Sequence, residues 1–258
     1  RPSAPPCMLP YIRNWTDIER TSQANVRLGT FLAFVAGAAN AGGFLAVGQY
    51  TSHMTGQVSS IADHLVLGNV TLAVAAAGAV VAFIGGAMTT ALLVNWGLRQ
   101  RLHSAYSLPL FLEAVALLVF GIFGASIQLF APLFVPLTVL LLCFIMDLQN
   151  AVITKISRAE IRTTHVTGLV TDIGIELGKL LYLNRDTDKA PVLANRQRLR
   201  IHSRLVAAFL LGGLAGALGF KHLGYVSTLP LALGLWVLGL RPFLRDVRDR
   251  LPPAARDG

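Results

Sequence analysis

Two cysteines in 258 residues leave no disulfide framework: Cys7 stands in a proline-rich tail and Cys143 inside an apolar run, with no CxxC pair. Charge is scarce as well, at 14% of residues against roughly 25% in an ordinary soluble domain. Acid is scarcer still, with 13 Asp and Glu against 22 Lys and Arg. No Walker loop, dinucleotide fingerprint, GxSxG elbow or HExxH helix occurs, so ATP hydrolysis and the common hydrolase chemistries have no support. The expectation is a protein that is not an enzyme and carries no cofactor. A metal site is not expected either. His53 and His64 are eleven residues apart rather than four, and His103, His202 and His222 flank apolar runs, where an interfacial place is the default.

What fills the chain instead is apolar surface: 54% of residues are hydrophobic and the mean hydropathy is +0.60. A hydrocarbon core about 30 Å thick asks a helix for about 20 apolar residues. Six stretches answer, from Leu28 to Gly48, Val70 to Trp96, Leu108 to Ser126, Leu133 to Thr154, Leu205 to Phe220 and Tyr225 to Leu240. The fold class that follows is all-α and polytopic, with the lipid bilayer as the first partner. A net charge of +9 could suggest nucleic acid, but the basic residues cluster at the mouths of the apolar spans, so no nucleic-acid partner is expected. With six crossings and both termini cytoplasmic, every Lys and Arg except Lys221 lies on the inner side, a strong positive-inside pattern.

Two short strings are nearly the same: Thr51-Ser52-His53-Met54-Thr55-Gly56 and Thr163-Thr164-His165-Val166-Thr167-Gly168. Asn40 precedes the first and Asn150 the second, each near the end of an apolar run. The chain therefore reads as two copies of one unit. Residues 24–130 form the first repeat and 131–240 the second. A disordered tail, 1–23, is expected in front, because Arg1 to Trp15 holds four prolines and no apolar segment of the kind a secretory signal needs. A basic cytoplasmic tail, 241–258, follows, and a basic loop, 184–204, interrupts the second copy.

Each copy is a span, a short polar helix and two more spans. Three crossings per copy put the second into the bilayer upside down, giving two inverted three-helix repeats with re-entrant or interfacial polar helices. If both polar helices crossed as well, eight crossings would give parallel repeats and place Arg99, Arg101, Lys155, Arg158, Arg162 and Lys221 outside.

Positions seven and eleven apart return to one helix face. His53, Ser60 and His64 share a face in the first copy; His165, Asp172 and Glu176 share one in the second. Two readings stand: opposed polar faces along a water-filled pathway, or surface helices whose polar side meets headgroups. On the first, Asn40, His53, Thr55, Gly56, Asn150, His165, Thr167 and Gly168 line a substrate pathway, and Asp147, Asp172, Glu176 and His64 handle a proton. Thr51 or Thr163 could cap the helix starts, and the two Asn could equally be interhelical glue. Glu113, near a span start, is expected to snorkel or pair with a loop arginine.

The run from Phe34 to Phe44, with His53-Met54-Thr55-Gly56 and His165-Val166-Thr167-Gly168, resembles the YoaK-type family of bacterial six-span membrane proteins. The resemblance implies a multi-pass protein of the bacterial inner membrane. That family is of unknown function and supplies no substrate or site residues. The functional expectation is a secondary transporter of a small solute, anionic if the nearby Arg162 is a guide, at a midplane site between repeats. A homo-oligomer is compatible with it. A passive channel, a membrane-embedded enzyme and a scaffold without flux remain the alternatives.

Overall fold

The computed structural model describes residues 16, 21–127, 129–157, 163–184 and 190–250. Most of the expected N-terminal tail, the 185–189 part of the basic loop and the 251–258 end of the C-terminal tail lie outside the described residues, as does Arg162.

The described residues form eight α-helices: α1 Ser22–Val47, α2 Met54–Val66, α3 Val70–Arg99, α4 Ser107–Ser126, α5 Ala131–Ile156, α6 Val166–Leu181, α7 Arg196–Leu223 and α8 Thr228–Arg250. Five stretches are long and apolar enough to cross a membrane. The last of them, Arg196–Arg250, runs for 55 residues and is broken by a 3-10 turn, Gly224–Ser227, into α7 and α8. These are the helices of a polytopic membrane protein. The two motif helices are not among them: α2 has 13 residues and α6 has 16, about 20 and 24 Å at 1.5 Å per residue.

Local chemistry explains the ends. Thr21 caps α1, its hydroxyl accepting from the N–H of Ala24 at 3.2 Å. Asn195 caps α7 in the same way, accepting from Arg198 N at 3.0 Å. That cap starts α7 nine residues ahead of the expected fifth span, so the basic residues 196–204 are its first turns. Thr16, in the stretch expected to be disordered, is buried and donates to Leu238 O at 3.0 Å.

Packing follows two rules of direction. Along α1 and α7, Phe34 meets Gly212, Gly37 meets Phe209 and Gly213, and Ala38 meets Gly216, so the two helices run parallel. Along α3 and α5, Gly78 meets Leu140, Gly86 meets Phe144 and Leu148, and Thr90 donates to Leu148 O at 2.8 Å, so these run parallel too. By contrast, α4 and α8 run antiparallel: Gly121 meets Thr228 and Gly124 meets Tyr225, while Gly239 meets Phe111. The antiparallel pair is pinned at its far end by Asp246, which accepts from His103 N at 2.7 Å, Ser104 N at 2.8 Å and Ser104 Oγ. One carboxylate so satisfies two backbone donors of the turn before α4.

The main core lies among α1, α4, α5, α7 and α8, around Leu28, Leu32, Leu117, Phe120, Met146 and Leu205. Much of the remaining apolar surface is exposed, as a lipid-facing surface requires: Val81, Leu92, Ile122, Leu210 and Leu233 are examples. Glu113 departs from expectation. It is fully buried, and neither carboxylate oxygen has a hydrogen-bond partner among the described residues. It cannot snorkel because it falls on the α4 face that carries Leu110, Ala114 and Leu117 into the core. Gln149 of α5 is likewise buried with both amide atoms unpartnered among the described residues.

Candidate functional site

The repeated motif builds the same object twice. His53 is the N-cap residue of α2 and His165 that of α6, with closely similar backbone angles, and neither side chain makes a capping bond. A Cβ placed on Gly56 would lie 2.8 Å from His53 Nδ1, and one on Gly168 would lie 2.5 Å from His165 Nδ1. Each imidazole therefore folds back over the first turn of its own helix, onto a surface that only glycine leaves clear. This is the physical content of His-x-x-Gly. Both histidines remain exposed, as do Thr55 and Thr167.

The asparagines hold the turns that carry these histidines. Asn40 Oδ1 accepts from Ser52 Oγ at 3.0 Å, and Asn150 Oδ1 accepts from Thr163 N at 3.2 Å. Both bonds fasten the later part of a long helix to the turn that carries its motif. Thr51 and Thr163, possible caps by sequence, are both buried, and neither hydroxyl has a hydrogen-bond partner among the described residues. They precede the N-cap by two residues and point inward instead. Asp147 is buried and accepts from Asn150 Nδ2 at 3.2 Å, and Lys155 donates to Asn95 Oδ1 at 3.0 Å.

The second copy opens on a cavity of about 730 Å³ between α6 and α7. His165, Gly168 and Asp172 line one wall, and Asn195, Arg198 and His202 the other. Asp172 Oδ2 accepts from Arg198 Nη2 at 3.2 Å and lies 3.5 Å from His202 Nδ1. Arg198 and His202 sit one turn apart on α7, so a single carboxylate meets both. His202 is buried, contrary to the interfacial place its sequence neighbourhood suggests, because the early start of α7 turns it inward.

Glu176 stays out of this cavity. Its Oε1 accepts from Lys179 Nζ at 2.8 Å and its Oε2 from Asn195 N at 2.6 Å, which fastens the chain entering α7 to α6. Those two hydrogen bonds, the Lys179 one first, hold the carboxyl below the usual glutamate range despite the opposing effect of desolvation. A carboxyl depressed on folding stabilises the clasp above its unfolded value and loses that contribution as pH falls through the folded value. Acidification below about pH 4, under the ordinary glutamate value, is expected to release the clasp. The protection factor of the Asn195 amide, the exchange rate of an unstructured peptide at the same pH divided by its own, should fall there in the wild type, and at neutral pH already in Glu176→Gln.

In the first copy, His64 takes the place of Glu176, and its Nδ1 is buried with no hydrogen-bond partner among the described residues. Ser60 stands where Asp172 does. The two helices share their pattern of exposure from His53 to Ala62 and from His165 to Gly174, with Leu169 more deeply buried than Gln57. The copies thus agree in backbone and in the His–Gly contact, and differ in the groups behind it.

Arg198, His202 and Asn195 are the residues that sequence reasoning missed. The one available signal was Asn195 itself, a good N-cap residue directly before a basic run that repeats at helical spacing.

No curated protein and no solved structure matches the chain. Residues 28–240 match the family described as "Protein of unknown function (DUF1275)", and the chain belongs to that family.

Proposed function

We propose that the protein is a secondary transporter of the bacterial inner membrane, with six crossings in two inverted halves, that moves a small anionic solute together with a proton. The observation that carries the reading is direction. Six crossings require α1 and α7 to be parallel, α3 and α5 to be parallel, and α4 and α8 to be antiparallel, as their glycine contacts have them. Eight crossings would make α4 and α8 parallel. The α1–α7 pair is then the counterpart of the α3–α5 pair, and α2 and α6 follow the far ends of α1 and α5 on opposite sides of the bilayer. Such inverted halves are how many transporters alternate access around one site.

The second motif supplies the chemistry. A solute carboxylate or phosphate entering the α6–α7 cavity competes with Asp172 for Arg198, whose planar fork suits either anion. Asp172, freed from that pair and beside His202, is then the group that takes the accompanying proton. His165, exposed and lining the same cavity, is placed to meet the solute.

Proteoliposomes with pyranine inside test this against phosphate, sulfate, succinate and glutamate. One of these anions is expected to accumulate against its own gradient under an inward proton gradient, with interior acidification. His53→Ala/His165→Ala is expected to lose that flux. Equilibration without accumulation would instead describe a passive pathway. If none of the four moves faster than in empty vesicles, or if the double variant matches the wild type, transport through the motifs is wrong.

A further inference from the structure

A second cavity, of about 340 Å³, opens where the N-termini of α1 and α7 lie side by side. Ser22, Gln23 and Arg27 line it from α1; Gln197, Arg200 and Arg204 line it from α7. We propose that this cavity binds a phosphate group, as a lipid headgroup or as a free phosphate. It is independent of whether the chain transports a solute.

Spacing brings these groups together. On α7 the residues at 197, 200 and 204 fall on one face, and parallel packing sets that face beside the first turns of α1. Both helices therefore present their positive ends in the same direction. Among the described residues no carboxylate lines the cavity. Asp172, which meets Arg198, lies in the larger cavity, across the wall formed by Gln197 and Ile201. Arg200 and Arg204 pair with no acid among the described residues. Arg200 and Arg204, two guanidinium groups with no acid partner among the described residues, line a pocket that also carries hydroxyl and amide donors, and are complementary to a tetrahedral oxyanion, which takes bidentate hydrogen bonds from arginine. With α1 and α7 as spans of a bilayer, their polar first turns would reach the headgroup layer and bring a phosphodiester on a lipid within reach.

The test uses the full chain in detergent. In one arm it is mixed with equal amounts of phosphatidylglycerol and phosphatidylcholine, and bound lipid is counted by native mass spectrometry. In the other, inorganic phosphate is added and the shift in melting temperature is read. Arg200→Gln/Arg204→Gln is expected to lower phosphatidylglycerol retention, or the affinity for phosphate, by about thirtyfold, as two arginine contacts at an anionic surface would. Loss in the lipid arm identifies a headgroup site; loss in the phosphate arm alone identifies a soluble ligand. Arg248→Gln/Arg250→Gln removes equal charge from the end of α8 and is expected to change neither. If the charge-matched variant loses as much, or if Arg200→Gln/Arg204→Gln binds like the wild type in both arms, the site does not exist. Should the double variant fail to fold, Arg204→Gln alone is read in its place, with a loss of about threefold to fivefold expected.

Discussion

Gly86→Leu and Gly212→Leu are each expected to abolish folding, leaving protein that enters the membrane but does not assemble. The two glycines do the same work in two helix pairs, α3 with α5 and α7 with α1. A Cβ on Gly212 would collide with the carbonyl of Phe34, and one on Gly86 with the carbonyl of Phe144, so backbone lies against backbone at both points. Phe34 and Phe144 are themselves counterparts, each six residues ahead of its asparagine, Asn40 or Asn150. Backbone cannot swing aside as a side chain can, so even alanine must push a whole helix outward. Overpacking of this kind costs typically about 1–3 kcal/mol, and these sites belong at or above the upper end. Leucine makes the helices more apolar and so favours insertion; any loss with it reports packing alone. Gly174 and Gly178 on α6 meet nothing within 4 Å, and alanine there is expected to stabilise by about 0.5–1 kcal/mol through the unfolded chain. Denaturant titration in detergent, read by tryptophan fluorescence, separates the two classes. If Gly86→Ala and Gly212→Ala are no worse than Gly174→Ala, the close approach is not what holds these pairs together.

The parts of this architecture written locally were legible in the sequence, and the parts written across helices were not. Six apolar runs and the duplicated motif each depend on neighbours a few residues away. Helices cover all six runs, α7 beginning nine residues before its run. The face shared by His165 and Asp172 also follows from period alone, and both line one cavity. Glu176 has the same periodicity yet turns to the Asn195 backbone, because what satisfies a carboxylate is decided by the chain that arrives nineteen residues later. His202 was hidden for a related reason. A basic, polar stretch reads as loop until its cap is recognised, and only as helix does it bring His202 inward beside Asp172. Glu113 shows the limit of depth arguments: a position near the start of a span says nothing of which side faces lipid and which faces core.

The histidine–glycine contact yields a prediction in which stability and function move in opposite directions. Gly168 is the third residue of α6, where alanine favours the helix by about 1 kcal/mol over glycine. Yet the added methyl would sit 2.5 Å from His165 Nδ1 and 2.8 Å from its Cε1, so the ring must leave its place over the first turn. Gly168→Ala is therefore expected to melt no lower than the wild type while losing about tenfold in proton-coupled flux, the cost of misplacing a contacting group without removing it. His165→Ala should lose as much. Because both variants remove one arrangement, their effects should not add: His165→Ala/Gly168→Ala is expected to match the single variants rather than fall about a hundredfold, as independent sites would. Gly56→Ala and His53→Ala in the first motif should repeat the cycle if the two motifs do equal work. A weaker effect there would place the larger share on the copy backed by Asp172, Arg198 and His202. A Gly168→Ala protein that transports like the wild type would show that the ring's position does not matter, and with it that His165 is not on the pathway.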